Sequence, residues 1–112
     1  EEGFYLPAES RDQAMLSVLS AYGLTPSEAL EFVEYWDEYL EKDVDYHMYP
    51  QLNAICDEAM PITITPAPDS ILRIWMLFEE DLGEEASPVK EPDVQPFIRD
   101  GFTVVEWGGM VR

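Results

Sequence analysis

Basic residues are scarce in this sequence. Six lysines and arginines stand against twenty-four aspartates and glutamates, a formal net charge of −18. Such an excess of carboxylate repels phosphate and anionic lipid headgroups, so direct nucleic-acid binding and membrane association are excluded as expectations. Cysteine occurs once, at Cys56, which rules out an internal disulfide and a thiolate zinc cluster and fits a reducing, cytoplasmic setting. His47 is the single histidine, so a Ser-His-Asp or Cys-His mechanism would have to use it, and no nucleophile elbow accompanies it. Gly101, Gly108 and Gly109 come without a P-loop lysine or a strand-to-helix context, which excludes a phosphate-cradling loop. No apolar run approaches the roughly 20 residues of a membrane span, and no signal-peptide pattern is present. The chain opens on Glu1 instead of methionine. The expectation is a C-terminal module cut from something longer, a cut that could also have removed a leader.

What is present suffices for one domain over residues 1–112, with 46% apolar residues and three tryptophans to fill a single core. Gly3-Phe4-Tyr5-Leu6-Pro7 reads as a short extended segment. Ser10 then stands as an N-cap, with Ala14, Met15, Val18, Leu19 and Tyr22 at helical spacing and Gly23 at the left-handed stop. Thr25-Pro26-Ser27-Glu28 is a capping box with proline at the first helical position. The helix it starts places Ala29, Phe32, Val33, Trp36, Tyr39 and Leu40 on one side. Glu28, Glu31, Glu34, Glu38 and Glu41 fall on the other, with Glu38 and Lys42 spaced as an i,i+4 pair.

Beyond Asp43 the pattern alternates through Tyr46-His47-Met48-Tyr49, predicting a strand, followed by a helical turn or two over Leu52 to Met60. Ile62-Thr63-Ile64-Thr65 reads as a β run, Pro66 to Ser70 as a rigid turn, and Ile71 to Phe78 as a central strand apolar on both faces, so a hairpin is expected. Glu79 to Glu85 and Ser87 to Pro96 read as surface loops, with a weak strand at Glu91 to Val94. A last strand covers Phe102 to Trp107 and is expected at the centre of the sheet. The architecture expected is α+β, an N-terminal helical hairpin on one face of a small antiparallel sheet.

Two charges interrupt apolar strands, Arg73 and Glu106, and burial makes them natural partners. They could bind a carboxylate or polarise a substrate; the plainer reading is a structural pair across the sheet. Trp107-Gly108-Gly109 reads either as an aromatic platform beside closely approachable backbone or as a core tryptophan followed by a bulge. Asp43, Asp45 and His47 alternate and would share one side of an extended segment, a donor set suited to a metal, although a solvent-facing edge is the simpler account.

The motifs as a group resemble the C-terminal half of a family of uncharacterised bacterial proteins. The resemblance rests on Tyr22-Gly23-Leu24-Thr25 with Glu28, Glu31-Phe32-Val33-Glu34-Tyr35-Trp36, and Ile62-Thr63-Ile64-Thr65-Pro66-Ala67-Pro68-Asp69. It continues with Ile71-Leu72-Arg73-Ile74 and Arg99-Asp100-Gly101-Phe102-Thr103-Val104-Val105-Glu106-Trp107-Gly108-Gly109. The family's preceding half carries a motif similar to Lys-Pro-Val-Ile-Tyr-Leu-Tyr-Pro that is absent here, and Asp37-Glu38 stands where the family pattern has Leu-Pro. The family has no established activity, so the resemblance implies domain identity and no catalytic role.

The function expected is a non-enzymatic binding or structural module with Arg73, Glu106, Trp107, Gly108 and Gly109 as binding residues. No cofactor is implied, and the partner is a protein or a small ligand. One alternative is an acidic inhibitor or nucleic-acid mimic that occupies a basic groove; another is a hydrolase-like fragment using Glu106.

Overall fold

Thr25 and Glu28 form the capping box that their spacing predicts. Glu28 N donates to Thr25 Oγ1 at 3.2 Å and Thr25 N donates to Glu28 Oε1 at 2.8 Å. The computed structural model describes residues 2–83 and 90–112. Among them the elements run β1 (Phe4–Leu6), α1 (Arg11–Tyr22), α2 (Pro26–Asp37), β2 (Tyr46–Gln51), α3 (Asn53–Ala59), β3 (Ser70–Glu80) and β4 (Thr103–Val111). The class is α+β, with α1 and α2 as the N-terminal hairpin. Ser10 occupies the N-cap position of α1 without a side-chain capping bond. The second helix ends at Asp37, so Leu40 is buried beyond it while Tyr39 stays exposed.

The sheet order is β1-β2-β3-β4, antiparallel in its first two pairs and parallel between β3 and β4. The sheet is therefore mixed, not purely antiparallel, and β4 lies at its edge instead of its centre. The cause is the return path of residues 90–102. Asp81 N donates to the Asp45 carbonyl at one end of β3, and Gly3 N donates to the Lys90 carbonyl beside β1. Phe97 N donates to the Tyr22 carbonyl behind the helices, and Ser70 N donates to the Phe102 carbonyl at the start of β3. The chain thus returns to the end of the sheet where β3 began, and a strand that starts there can only run parallel to it. Residues 90–102 contain no strand, so Glu91 to Val94 is not one. They are also not purely surface, because Val94 and Phe97 pack against the core. The part of the loop expectation that falls on residues 84–89 lies outside the described residues.

Alternation sorts β3 cleanly. Leu72, Ile74, Met76 and Phe78 are buried toward the helices, with Phe32 of α2 lying 6.3 Å from Phe78 between ring centroids. Arg73, Trp75 and Leu77 face the other way, where α3 covers part of the sheet. Ile62–Thr65 is not a strand, and no hairpin joins it to β3. The place it would take is already held by β2 and, past Gln51, by the Asn53 side chain. Its Nδ2 donates to the Ile71 carbonyl at 2.8 Å, and its Oδ1 accepts from Arg73 N at 2.6 Å. A side-chain amide thus carries the ladder on where the backbone turns into α3.

Two cations tie distant parts of the core together. Arg11, buried, donates through Nη1 to the carbonyls of Glu41 at 2.8 Å and Val44 at 3.1 Å, so α1 holds the exit of α2. Arg99 pairs with Glu28 and donates to the Gly23 carbonyl at 3.2 Å. Gly23 has φ 103°, and a Cβ there would lie 2.7 Å from the Phe97 carbonyl oxygen, so the turn needs glycine for conformation and for space. Partial burial works against the Glu28 carboxylate, but Arg99 and the Thr25 hydrogen bonds outweigh it and hold the carboxyl below its ordinary range. A carboxyl depressed in the folded state adds stability above its unfolded pKa of about 4.3, and that stability is lost as pH falls through the folded value. Arg99→Gln should therefore flatten the loss of stability below about pH 4, as read by urea unfolding across the acid range. An unchanged slope would show that Arg99 does not set the Glu28 titration.

Candidate functional site

The parallel register sets Arg73 directly opposite Glu106, on the sheet face turned away from α1 and α2. The Arg73 side chain is 1% exposed. Its Nε donates to Glu106 Oε2 at 2.7 Å, and its Nη1 donates to Asp57 Oδ1 at 3.0 Å and to the Met60 carbonyl at 2.6 Å. The other Glu106 oxygen, Oε1, accepts from Trp75 Nε1 at 2.5 Å. The guanidinium carbon sits 5.3 Å from the Trp75 ring centroid. Hydrogen bonding to Glu106, then to Asp57, outweighs burial and keeps Arg73 more firmly protonated than a free arginine. The expected pair is present, and it is closed on both sides. Trp75 could have been read from the alternation, since it stands two residues after Arg73. Asp57, Asn53 and the Met60 carbonyl arrive from α3 and its exit, and no local pattern pointed to them.

The predicted binding residues are divided between two faces. Gly108 shares the Arg73 and Glu106 face. Trp107 and Gly109 face the helices: the Trp107 ring lies 5.2 Å from Phe32 and 5.5 Å from Tyr35, and Gly109 sits under Trp36. Neither a bulge nor a turn follows Trp107, because pairing with β3 continues through Val111. Beside the Arg73 cluster, Trp75, Leu77, Gly108, Gly109 and Met110 line a depression of about 400 Å3. On its far side a second hollow of about 520 Å3 runs past Asp57, Ile62, Ile64, Ala67, Pro68 and Ile71.

The two adjacent glycines have different reasons to be there. A Cβ on Gly109 would lie 2.6 Å from the Met76 carbonyl oxygen and 2.8 Å from Trp36 Cζ2, whereas one on Gly108 would meet Trp75 Cδ1 at 3.4 Å. Gly109→Ala should cost about 1–3 kcal/mol, while Gly108→Ala should stay within about 0.5 kcal/mol of the parent. Chemical denaturation of the two variants checks the contrast, and equal losses would refute this packing.

The proposed metal donors do not converge. Asp43 adopts φ 59° in a turn. Asp45 accepts from Ala8 N at 2.8 Å and from the Tyr5 hydroxyl at 3.0 Å, and these bonds, the backbone one first, hold its carboxyl below the usual range. His47 lies on β2 with Nε2 3.4 Å from Asp81 Oδ2 and Nδ1 3.3 Å from the Tyr49 hydroxyl. Among the described residues no three His, Cys, Asp or Glu side chains gather in a metal-holding group. Cys56 is buried, and its thiol donates to the Gln51 carbonyl at 3.4 Å. Burial first, and the Glu106 charge second, push that thiol upward, away from thiolate chemistry. No family model, curated protein or solved structure matches the chain.

Proposed function

We propose that the chain is a non-enzymatic binding module, the C-terminal unit of the uncharacterised bacterial family that its motifs resemble, acting in the cytoplasm on a small ligand or a protein. The observation that carries this reading is the closed state of the Arg73 and Glu106 pair beside the Trp75–Met110 depression. Arg73 is held by Glu106, Asp57 and the Met60 carbonyl, and Glu106 is held by Arg73 and Trp75. Side chains held this way make a rigid wall for an apolar guest resting on Trp75, Leu77 and Met110. The lone histidine and lone cysteine are each engaged elsewhere, which supports the same reading.

Indole serves as a probe, because its ring matches the apolar lining. In nuclear magnetic resonance titrations it should shift the Trp75 indole N–H and the Leu77 and Met110 amides, and Gly108→Leu, which fills the depression, should abolish those shifts. Turnover of any hydrolysable ester, amide or glycoside that Glu106→Gln removes while the fold persists would overturn the proposal in favour of an enzyme.

A further inference from the structure

Among the described residues the last strand leaves one side unpaired. Phe102 O accepts from Ser70 N at 3.2 Å and Arg112 N donates to Phe78 O at 2.9 Å, and the register with β3 is unbroken between them. In a parallel ladder the residues of one strand alternate between bonding to the neighbour and facing away from it. Even-numbered residues from Phe102 to Arg112 therefore bond to β3. Thr103, Val105, Trp107, Gly109 and Val111 turn their N–H and C=O groups outward, and among the described residues no backbone partner meets them there. Exposed edges are commonly guarded by lysine, proline or a bulge. β4 has none of these, and its one charged side chain, Glu106, is turned into Arg73.

We propose that the outer edge of β4 is a strand-addition site for an extended, lysine- or arginine-rich segment of a partner protein. This stands whether or not the Trp75 depression takes a ligand. The partner's chemistry follows from what flanks the edge. On the helix side Tyr35 packs on Trp107 yet is 47% exposed. Glu31 of α2 and Glu38 at its C-cap, both exposed, stand four residues before and three after it, on the same flank. On the opposite side Val104 and Met110, the latter 53% exposed, flank Glu106, whose carboxylate is taken by Arg73 and Trp75. A strand laid against β4 would send alternate side chains to these two flanks, one acidic and aromatic, the other apolar. Alternating basic and apolar residues fit both. A second copy fits less well, because pairing β4 with β4 would bring two acidic α2 flanks together between chains of net charge −18 each.

The test uses the intact chain and a fluorescein-labelled peptide of about eight residues alternating lysine and valine. Its binding is followed by anisotropy, with amide shifts mapped on β4. Binding should perturb the amides of Thr103 to Val111. Methylating those peptide nitrogens that would face β4 should weaken it by about tenfold or more. So should replacing lysine by glutamate. Val105→Pro removes one outward N–H without touching the β3 ladder and should weaken binding while circular dichroism stays unchanged; if that variant misfolds, the methylated peptide on the unaltered chain decides. An N-methylated peptide that binds within about twofold of its parent would show that the attraction is only ionic and overturn the proposal. So would absence of binding, or a dimer that Val105→Pro dissolves, which would make the occupant a second copy.

Discussion

Arg73→Met is expected to lower the melting temperature by roughly 10 °C or more, with Glu106→Gln costing far less. One guanidinium holds Glu106, Asp57 and the Met60 carbonyl at 2.7, 3.0 and 2.6 Å. Removing it takes the cation from between two carboxylates and a carbonyl oxygen; Glu106 keeps only Trp75 Nε1, Asp57 and the Met60 carbonyl lose this donor, and the like charges repel. Water reaches both carboxylates, whose side chains are 34% and 59% exposed, and that screening keeps the loss below that of a fully dry pair. Glutamine at position 106 keeps an acceptor for Trp75 Nε1 and leaves Arg73 its bonds to Asp57 and Met60. The double variant Arg73→Met/Glu106→Gln should lose less than the sum of the singles, since one carboxylate then no longer needs a partner. Thermal melts of the four proteins measure this. Equal losses from both single changes would mean that the arginine does not organise the site.

Phe32→Ala is the other large effect, at about 3–5 kcal/mol, a substantial share of the roughly 5–15 kcal/mol that stabilises an ordinary domain. Phe32 is 0% exposed. Its ring centroid stands 6.3 Å from Trp36, 6.3 Å from Phe78 and 5.2 Å from Trp107, so a single ring joins α2 to β3 and β4. Alanine would leave a cavity bounded by rigid rings that cannot collapse into it. The near-ultraviolet circular dichroism of the tryptophans should weaken along with the denaturation midpoint. Phe102→Ala provides the control: that side chain is 45% exposed, and its loss should stay within about 0.5 kcal/mol. Comparable losses from the two would refute the assignment of the core.

These two residues also show how far the linear pattern reaches. Phe32 was legible because helical spacing after a capping box puts it on the buried stripe. Arg73 and Glu106 were legible as a pair because each is a charge set inside an apolar run, and an unpaired buried charge is too costly to keep. Asp57, Asn53 and the Met60 carbonyl were not legible, because nothing in their local sequence distinguishes them from any short acidic helix. Ile62-Thr63-Ile64-Thr65 misled for a related reason. Its β-branched residues are suited to a strand, but β2 and the Asn53 amide already occupy the edge of β3 where it would have paired.

The sequence alone determined the helical hairpin, its stop at Gly23, the strand over Ile71 to Phe78 and the pairing of Arg73 with Glu106. All of these follow from spacing within a few residues or from the cost of burying charge. Only the tertiary structure decided that β4 runs parallel at an open edge, and that Trp107 and Gly109 face the helices while Glu106 and Gly108 face away. Period-two alternation says which residues share a face; it does not say which face, or which strand lies next to it. Those choices were made by the path of residues 90–102 around the domain and by Phe32 and Trp36, which take Trp107 and Gly109 to the helix side of the sheet.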